Sequence, residues 1–301
     1  MADIPGRKWD AGKPETILIL PDYRLPDQTT NRPLNDVYRK GLKLMKAIIL
    51  SAGQGKRLLP LTADNPKCLL NIDGQSLIEW QINELVKCGI ERVSVVVGYH
   101  ADRVERLLHQ RYDSQMIRTL YNPTYSWADN LFSCWAARAE MKEDFVLLNG
   151  DTLFEAAVLN RLLETPVRPV TVVTHKKRYY DADDMKVTLD GDRLIHIGKD
   201  LSVDKVDGES IGMILFRDEG PVRFCRGVEN ALRDSLARKK WYLSVIEDLA
   251  QLMPVWTYRV KGLQWCEVDF PVDLQHAQRV VRACAADGET RAFPQTRFAW
   301  G

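Results

Sequence analysis

From Lys46 onward the chain alternates short apolar runs with amphipathic stretches, and this alternation constrains the fold more than any other feature of the sequence. Runs such as Lys46–Leu50 and Arg92–Val97 offer water almost no polar face, so they read as strands covered on both sides. Between them, Ser76–Lys87 carries Leu77, Ile78, Ile82 and Leu85 at helical spacing, and Gly89 stands where such a helix stops. The same unit repeats in helix His100–Gln110, strand Met116–Tyr121, helix Asn130–Met141 and strand Phe145–Leu148. Repeated strand–helix units predict an α/β fold with a Rossmann-like, doubly wound, mostly parallel sheet.

After Asp151 the pattern changes. Val170–His175, Met185–Leu189, Arg193–Ile197 and Ser210–Phe216 are short strand candidates, and Gly191 between Asp190 and Asp192 marks a hairpin turn. A small antiparallel layer on the substrate side is expected here. Helices Pro221–Arg233 and Tyr242–Leu252, strand Val255–Val260 and helix Val272–Ala283 follow. Before Lys46 the prolines Pro5, Pro14, Pro21, Pro26 and Pro33 forbid long helices. The expected organisation is an N-terminal extension over 1–44, a catalytic domain over 45–283 and a C-terminal tail over 284–301.

Composition narrows the function classes. The 42 basic and 41 acidic residues nearly cancel, which argues against a nucleic-acid partner. The six cysteines are scattered, with no CxxC pair, and read as buried thiols in a reducing compartment. No stretch approaches the roughly 18–20 apolar residues of a membrane span, and the N-terminus lacks the order of a signal peptide. The expectation is a soluble cytoplasmic protein without a membrane span, with homodimer formation left open.

Chemistry concentrates first in Ser51-Ala52-Gly53-Gln54-Gly55-Lys56-Arg57-Leu58-Leu59-Pro60-Leu61-Thr62, followed by Pro66-Lys67. A strand that ends in small residues exposes backbone N–H groups, which close around phosphate oxygens, while Lys56, Arg57 and Lys67 supply positive charge. The loop lacks the third glycine of a dinucleotide fingerprint and the Gly-Lys-Ser/Thr ending of a Walker loop, so neither applies. The second concentration is Phe145-Val146-Leu147-Leu148-Asn149-Gly150-Asp151, where an apolar strand delivers one acid at its carboxyl end. Its downstream partner is Trp265-Cys266-Glu267-Val268-Asp269. Two acids from separate loops suit a hard magnesium ion (Mg2+) held together with substrate phosphates.

With Arg-Leu-x-Pro-Leu-Thr and Pro-Lys added to the glycine loop, the segment resembles the signature of the nucleotidyltransferase superfamily that activates sugar phosphates and phosphocholine. The resemblance runs from Met45 to about Ala283 and implies transfer of a nucleotidyl group to a phosphorylated small molecule, with release of pyrophosphate. It implies that Ser51, Ala52, Gly53, Gly55, Lys56 and Gly150 surround the nucleotide. By the same resemblance Arg57 contacts the triphosphate, Lys67 steadies the phosphoryl group under attack, and Asp151 and Asp269 bind the metal, with Glu267 a lesser candidate.

Tyr121-Asn122-Pro123, Ala128-Asp129-Asn130-Leu131, Asp183-Asp184-Met185-Lys186 and Gly208-Glu209-Ser210 look like the subgroup of bacterial phosphocholine and aminoalkylphosphonate cytidylyltransferases. CTP is therefore the expected nucleotide. For the acceptor, the resemblance implies Lys186 and Lys199 on its phosphate and Glu209 as an acid beside it. A cationic head group favours aromatic faces and acidic neighbours, for which Tyr125, Trp127, Trp135, Asp129, Glu209 and Tyr180 are at hand, and Asn130 in the same motif is a further acceptor-binding candidate. Two other readings stand beside this one: a sugar-1-phosphate nucleotidyltransferase using UTP, GTP or dTTP, and a non-catalytic nucleotide-binding regulator.

Overall fold

The structure is a computed structural model that describes residues Met45–Thr290, with side chains as far as Cys284. The N-terminal extension 1–44, and the tail beyond Thr290, lie outside the described residues. Strand β1 (Lys46–Ser51) runs into the glycine loop and two 3-10 turns, Lys56–Leu58 and Lys67–Leu69. A two-strand hairpin, β2 (Asn71–Ile72) and β3 (Gln75–Ser76), then opens helix α1 (Leu77–Lys87). Ser76 caps that helix in a reciprocal box with Glu79, whose carboxylate accepts from the Ser76 backbone N–H at 2.9 Å. There follow β4 (Arg92–Val97), α2 (Ala101–Arg111), β5 (Ile117–Tyr121), α3 (Asn130–Ala136), β6 (Phe145–Asn149), β7 (Thr152–Phe154) and α4 (Ala156–Leu163). The chain continues through β8 (Val170–His175), β9 (Lys186–Asp190), β10 (Arg193–Gly198), β11 (Gly208–Phe216), α5 (Gly220–Ala231) and α6 (Leu243–Leu252). It ends in β12 (Trp256–Val260), β13 (Trp265–Glu267) and α7 (Pro271–Thr290).

Nine strands form one sheet in the order β5-β4-β1-β6-β11-β8-β12-β10-β9. The first four are parallel, with β1 between β4 and β6, as the strand–helix units require. β11 then runs antiparallel to both β6 and β8, so the antiparallel strands continue the main sheet instead of stacking on it. β12 lies parallel to β8, and the β9–β10 hairpin closes the far edge while β9 also meets the start of β11. Alternate residues of the central strands enter opposite cores. Ile48, Leu50, Phe145 and Leu147 pack with α3, α5 and α6 on one face. Ala47, Ile49, Val146 and Leu148 pack with α1, α2 and α4 on the other. Burial on both faces is why these strands read as unbroken apolar runs.

Two helices differ from the sequence expectation. The helix expected over Asn130–Met141 ends at Ala136, because the Ala137 N–H bonds both the Ser133 and Cys134 carbonyls and the chain tightens into a 3-10 turn at Arg138–Glu140. Helix α4 was not among the expected elements, although Val158, Leu159 and Leu162 are fully buried at helical spacing. A third apolar cluster, with Leu58, Ile72, Trp80, Leu153 and Val268, lies beneath α7 through Ala277, Val280 and Val281. It ties the glycine loop, α1, β7 and β13 together at the carboxyl end of β1 and β6.

Candidate active site

The carboxyl ends of β1 and β6 open into a cleft of about 410 Å³. The backbone of Ser51-Ala52-Gly53-Gln54-Gly55 forms one wall, and Asn149, Gly150 and Asp151 form the floor. Parallel register sets Leu50 beside Asn149, and the Gly150 N–H donates to the Leu50 carbonyl at 3.0 Å. A Cβ on Gly150 would fall 2.5 Å from that carbonyl oxygen, so glycine is required for the two strand ends to meet. Gly55 sits in the left-handed region at φ 76°, and a Cβ there would stand 2.8 Å from the Lys67 Cβ. The Thr62 hydroxyl donates to the Gly55 carbonyl at 2.8 Å, which folds the loop back toward the Pro66-Lys67 turn.

At the cleft floor the Lys67 ammonium donates to Asp151 Oδ2 at 2.9 Å and to Asp269 Oδ1 at 2.6 Å. Arg57 reaches the second Asp269 oxygen at 2.7 Å and Asp183 at 3.1 Å. Burial works against the Lys67 charge, yet Asp151 and Asp269 together hold its pKa above the ordinary lysine value. Glu267 lies beneath the pair, and burial followed by repulsion from Asp151, Asp269 and Glu209 pushes its carboxyl up to about 8, with Lys67 opposing. The Ser51 hydroxyl and Asp151 Oδ1 are buried without a hydrogen-bond partner among the described residues, a condition that a bound polar ligand relieves.

The two aspartates are brought together by the short antiparallel pair β7–β13, in which Thr152 faces Glu267 and Leu153 faces Cys266. The Val268 N–H donates to the Asp151 carbonyl at 3.1 Å, and the Asp273 carboxylate accepts from the backbone N–H of Asp269 and Phe270 at 2.9 and 2.7 Å. From behind, Gln81 on α1 is fully buried and donates to the carbonyls of Asn149 and Thr152, both at 2.8 Å. Its neighbours on the helix act likewise: Trp80 donates to the Phe154 carbonyl at 2.8 Å, and Glu84 accepts from the Ala156 N–H at 2.7 Å. The turn that carries Asp151 is thus clamped by α1 on one side and β13 on the other.

Of the expected site residues, Ser51, Ala52, Gly53, Gly55, Lys56, Arg57, Lys67, Tyr125, Asp129, Asn130, Gly150, Asp151 and Asp269 all line the cleft. Asn130 is oriented by the Tyr242 N–H, which its side-chain oxygen accepts at 3.0 Å. Burial raises the Asp129 carboxyl, with Lys199 opposing. Trp127, Trp135, Tyr180, Lys186, Lys199, Glu209 and Glu267 are not among its lining residues. Trp127 is exposed and edge-on to Phe132 at 5.7 Å, and Trp135 lies under the Arg138 guanidinium at 4.0 Å. No aromatic cage is assembled from them. Lys186 is 3% exposed, with its ammonium donating to the Lys199 carbonyl at 2.8 Å. Lys199 pairs with Asp183 at 3.1 Å and stands over the Trp241 ring at 4.3 Å. Glu209 is buried and pairs with Lys177 at 2.9 Å, and Lys177 also holds Asp184 at 2.7 Å.

Sequence reasoning assigned no role to Gln81, Asn149, Asp183, Lys177 or Tyr242. Asn149 and Asp183 stood inside quoted motifs, whereas Gln81 and Tyr242 act only through contacts across the fold. The Tyr242 hydroxyl donates to Asn149 Oδ1 at 3.0 Å, across a sequence separation of 93.

Comparison with known proteins accords with this geometry. Residues 46–179 match the family model described as nucleotidyl transferase. The chain is 27% identical over 255 residues to the CTP:phosphoglutamine cytidylyltransferase of Campylobacter jejuni, an alignment covering 77% of this chain and 98% of that protein. It is 27% identical over 239 residues to the CMP-5'-(3-aminopropyl)phosphonate synthase of Streptomyces rubellomurinus, covering 77% of this chain and only 38% of that protein. The solved structure of a CTP:phosphocholine cytidylyltransferase from Streptococcus pneumoniae superposes with a TM-score of 0.63 at 20% identity, covering 79% of this chain and all of that one, and shares the fold. Among the described residues no helix is long and apolar enough to cross a membrane. Residues 46–179 thus form a nucleotidyl transferase domain.

Proposed function

We propose that the protein is a magnesium-dependent cytidylyltransferase of the cytoplasm, coupling CTP to a small phosphorylated or phosphonylated acceptor with release of pyrophosphate. The observation that carries the reading is the Lys67 ammonium held between Asp151 and Asp269 on the floor of a cleft walled by the glycine loop. The two relatives described above are named for cytidylyl transfer or a CMP product, and both names specify a phosphorus-bearing acceptor part.

In the reaction an acceptor oxygen attacks the α-phosphorus of CTP, and the bond to the bridging oxygen of pyrophosphate breaks. The backbone of Ala52, Gly53 and Gly55 cradles the phosphates, Lys67 offsets charge at the reacting phosphorus, and Arg57 follows the departing pyrophosphate. Asp151 and Asp269 are the residues that would hold magnesium, and the unpartnered buried Asp151 Oδ1 fits a hard cation that completes its shell with phosphate oxygens and water. When bound, the ion neutralises triphosphate charge and orients it for in-line attack. Tyr125 and Asp129 border the cleft where a positively charged part of the acceptor would sit.

The test is pyrophosphate release with magnesium across CTP, UTP, GTP and dTTP against phosphocholine, 2-aminoethylphosphonate, phosphoglutamine and glucose 1-phosphate. Turnover confined to CTP and an amine- or amide-bearing acceptor supports the reading. Turnover with the sugar phosphate instead moves the chain to the sugar-activating enzymes. Saturable CTP binding without turnover of any pair makes it a nucleotide-binding regulator.

A further inference from the structure

A second cavity, of about 390 Å³, opens away from the cleft, between the β2–β3 hairpin and helix α2. Arg103, Arg106 and Arg111 project into it from one side of α2, and Glu79 is the one carboxylate among its lining residues. That carboxylate is already engaged, accepting from the Ser76 N–H and hydroxyl at 2.9 and 2.6 Å. Two of the guanidiniums are held loosely by comparison: Arg106 meets Asp102 at 3.4 Å with both side chains about two-thirds exposed, and Arg111 meets Glu79 at 3.4 Å. Opposite them, the side-chain oxygens of Asn71 and Gln75 accept from the Gly74 N–H and from Asn83, each at 3.1 Å, which leaves their NH2 groups as the ends free to donate.

Three guanidiniums and two amide donors around one concavity match the oxygens of a phosphate group. The volume exceeds that of the anion alone, so a phosphate with a small body attached fits better than free phosphate. No aromatic residue lines the cavity, so no platform exists for a base. We propose that this cavity is a second binding site, for the phosphate monoester of a hydroxyl-bearing aliphatic compound such as a sugar, and that its occupancy acts on Lys67.

The coupling follows from the chain path. Leu69 lines the cavity and belongs to the same 3-10 turn as Lys67. Asn65, also lining it, holds the Leu69 carbonyl at 3.2 Å. Arg103 donates to the Asp64 carbonyl and Tyr99 to the Ala63 carbonyl, so residues 63–69 are strung between α2 and the catalytic turn. A phosphate that recruits Arg103 draws on this tether and changes how Lys67 is presented. This second half of the proposal rests on the catalytic reading of Lys67; the binding half does not.

The test titrates the full chain by calorimetry with glucose 6-phosphate, AMP and inorganic phosphate. It does so in the wild type, in an Arg57→Ala, Lys67→Met variant that silences the cleft, and in an Arg106→Glu, Arg111→Glu variant. Arg106→Gln, Arg111→Gln serves as a milder pair, and circular dichroism confirms that each variant is folded. Glucose 6-phosphate should bind one saturable site in the wild type and in the cleft variant, at least tenfold weaker after arginine reversal, with AMP and phosphate binding less tightly. In the pyrophosphate assay it should change wild-type turnover at least twofold, while the arginine-reversed protein keeps its basal turnover and does not respond. Binding that disappears with Arg57 and Lys67 but survives arginine reversal places the anion in the cleft and overturns the proposal, as does the absence of saturable binding by any probe. Tighter binding of AMP than of the sugar phosphate overturns the assignment of ligand class. Binding as expected with no effect on turnover removes the coupling alone, and a protein without turnover for any acceptor fails the functional reading while the calorimetry still decides the site.

Discussion

The two halves of the sheet on either side of the β6–β11 junction are built in different ways. On the β1–β6 side, the wall is main chain: residues 51–57 and 149–151 are placed by parallel register and by two glycines, Gly150 against the Leu50 carbonyl and Gly55 against the Lys67 side chain. On the β8–β11 side, the contacts are side chain to side chain, with Lys177 shared by Asp184 and Glu209, and Asp183 shared by Arg57 and Lys199. A backbone cradle recognises what every nucleoside triphosphate has in common. A set of paired side chains can be changed one residue at a time, so under the proposed function the acceptor's identity would belong to the second half.

The comparison is broken most severely at Lys67. Lys67→Met is expected to lower the rate of pyrophosphate release about 10²–10³-fold, as loss of a charge-stabilising donor does. CTP affinity should change much less, and a rate loss under tenfold would place the chemistry elsewhere.

Gly150→Ala probes the main-chain wall directly. Its Cβ would lie 2.5 Å from the Leu50 carbonyl oxygen, so an overpacking cost of roughly 1–3 kcal/mol is expected in denaturant unfolding. Catalysis should fall with it, and an unchanged midpoint would mean that the strand ends yield easily.

On the other half, Glu209→Gln should raise the acceptor KM about tenfold, in line with loss of a charged hydrogen bond, and leave the CTP KM unaltered. An equal rise in both would dissolve the division between the halves. Asp183→Asn severs the bridge from Arg57 to Lys199, but its side chain is 62% exposed. The expected stability change is about 0.5 kcal/mol or less, with a CTP KM shift of only a few-fold. Smallest of all, Trp127→Ala and Trp135→Ala should leave the acceptor KM within about twofold of wild type, because surface side chains away from the site contribute little. A tenfold rise for either would bring that ring to the acceptor and restore an aromatic cage.

Much of the central sheet was legible in the sequence. Arg92–Val97 and Val170–His175 have the expected bounds, because a strand buried on both faces leaves an apolar run with sharp ends. The β7 and β13 strands, three residues each, are too short for a period-two signal, yet they set Asp151 beside Asp269. Helix α4 did carry a readable pattern in Val158, Leu159 and Leu162. The candidate acceptor residues were harder: Lys186 and Trp135 are of the right chemical type, but a residue's type does not tell whether its polar end faces a cleft or a neighbouring carbonyl.

By itself, then, the sequence determined the alternation of elements, the glycine loop at the end of β1, and Lys67, Asp151 and Asp269 as chemically apt residues, since these depend on local pattern and residue type. Only the tertiary structure decided that Lys67 lies between two carboxylates contributed from positions 84 and 202 residues away. It alone decided that α1 clamps the Asp151 turn, that Lys186 spends its charge on a backbone carbonyl, and that three arginines of α2 share a cavity with the Lys67 turn. The physical reason is that strand register and helix packing set distances between remote residues, and an ion pair or hydrogen bond forms only within a few ångströms.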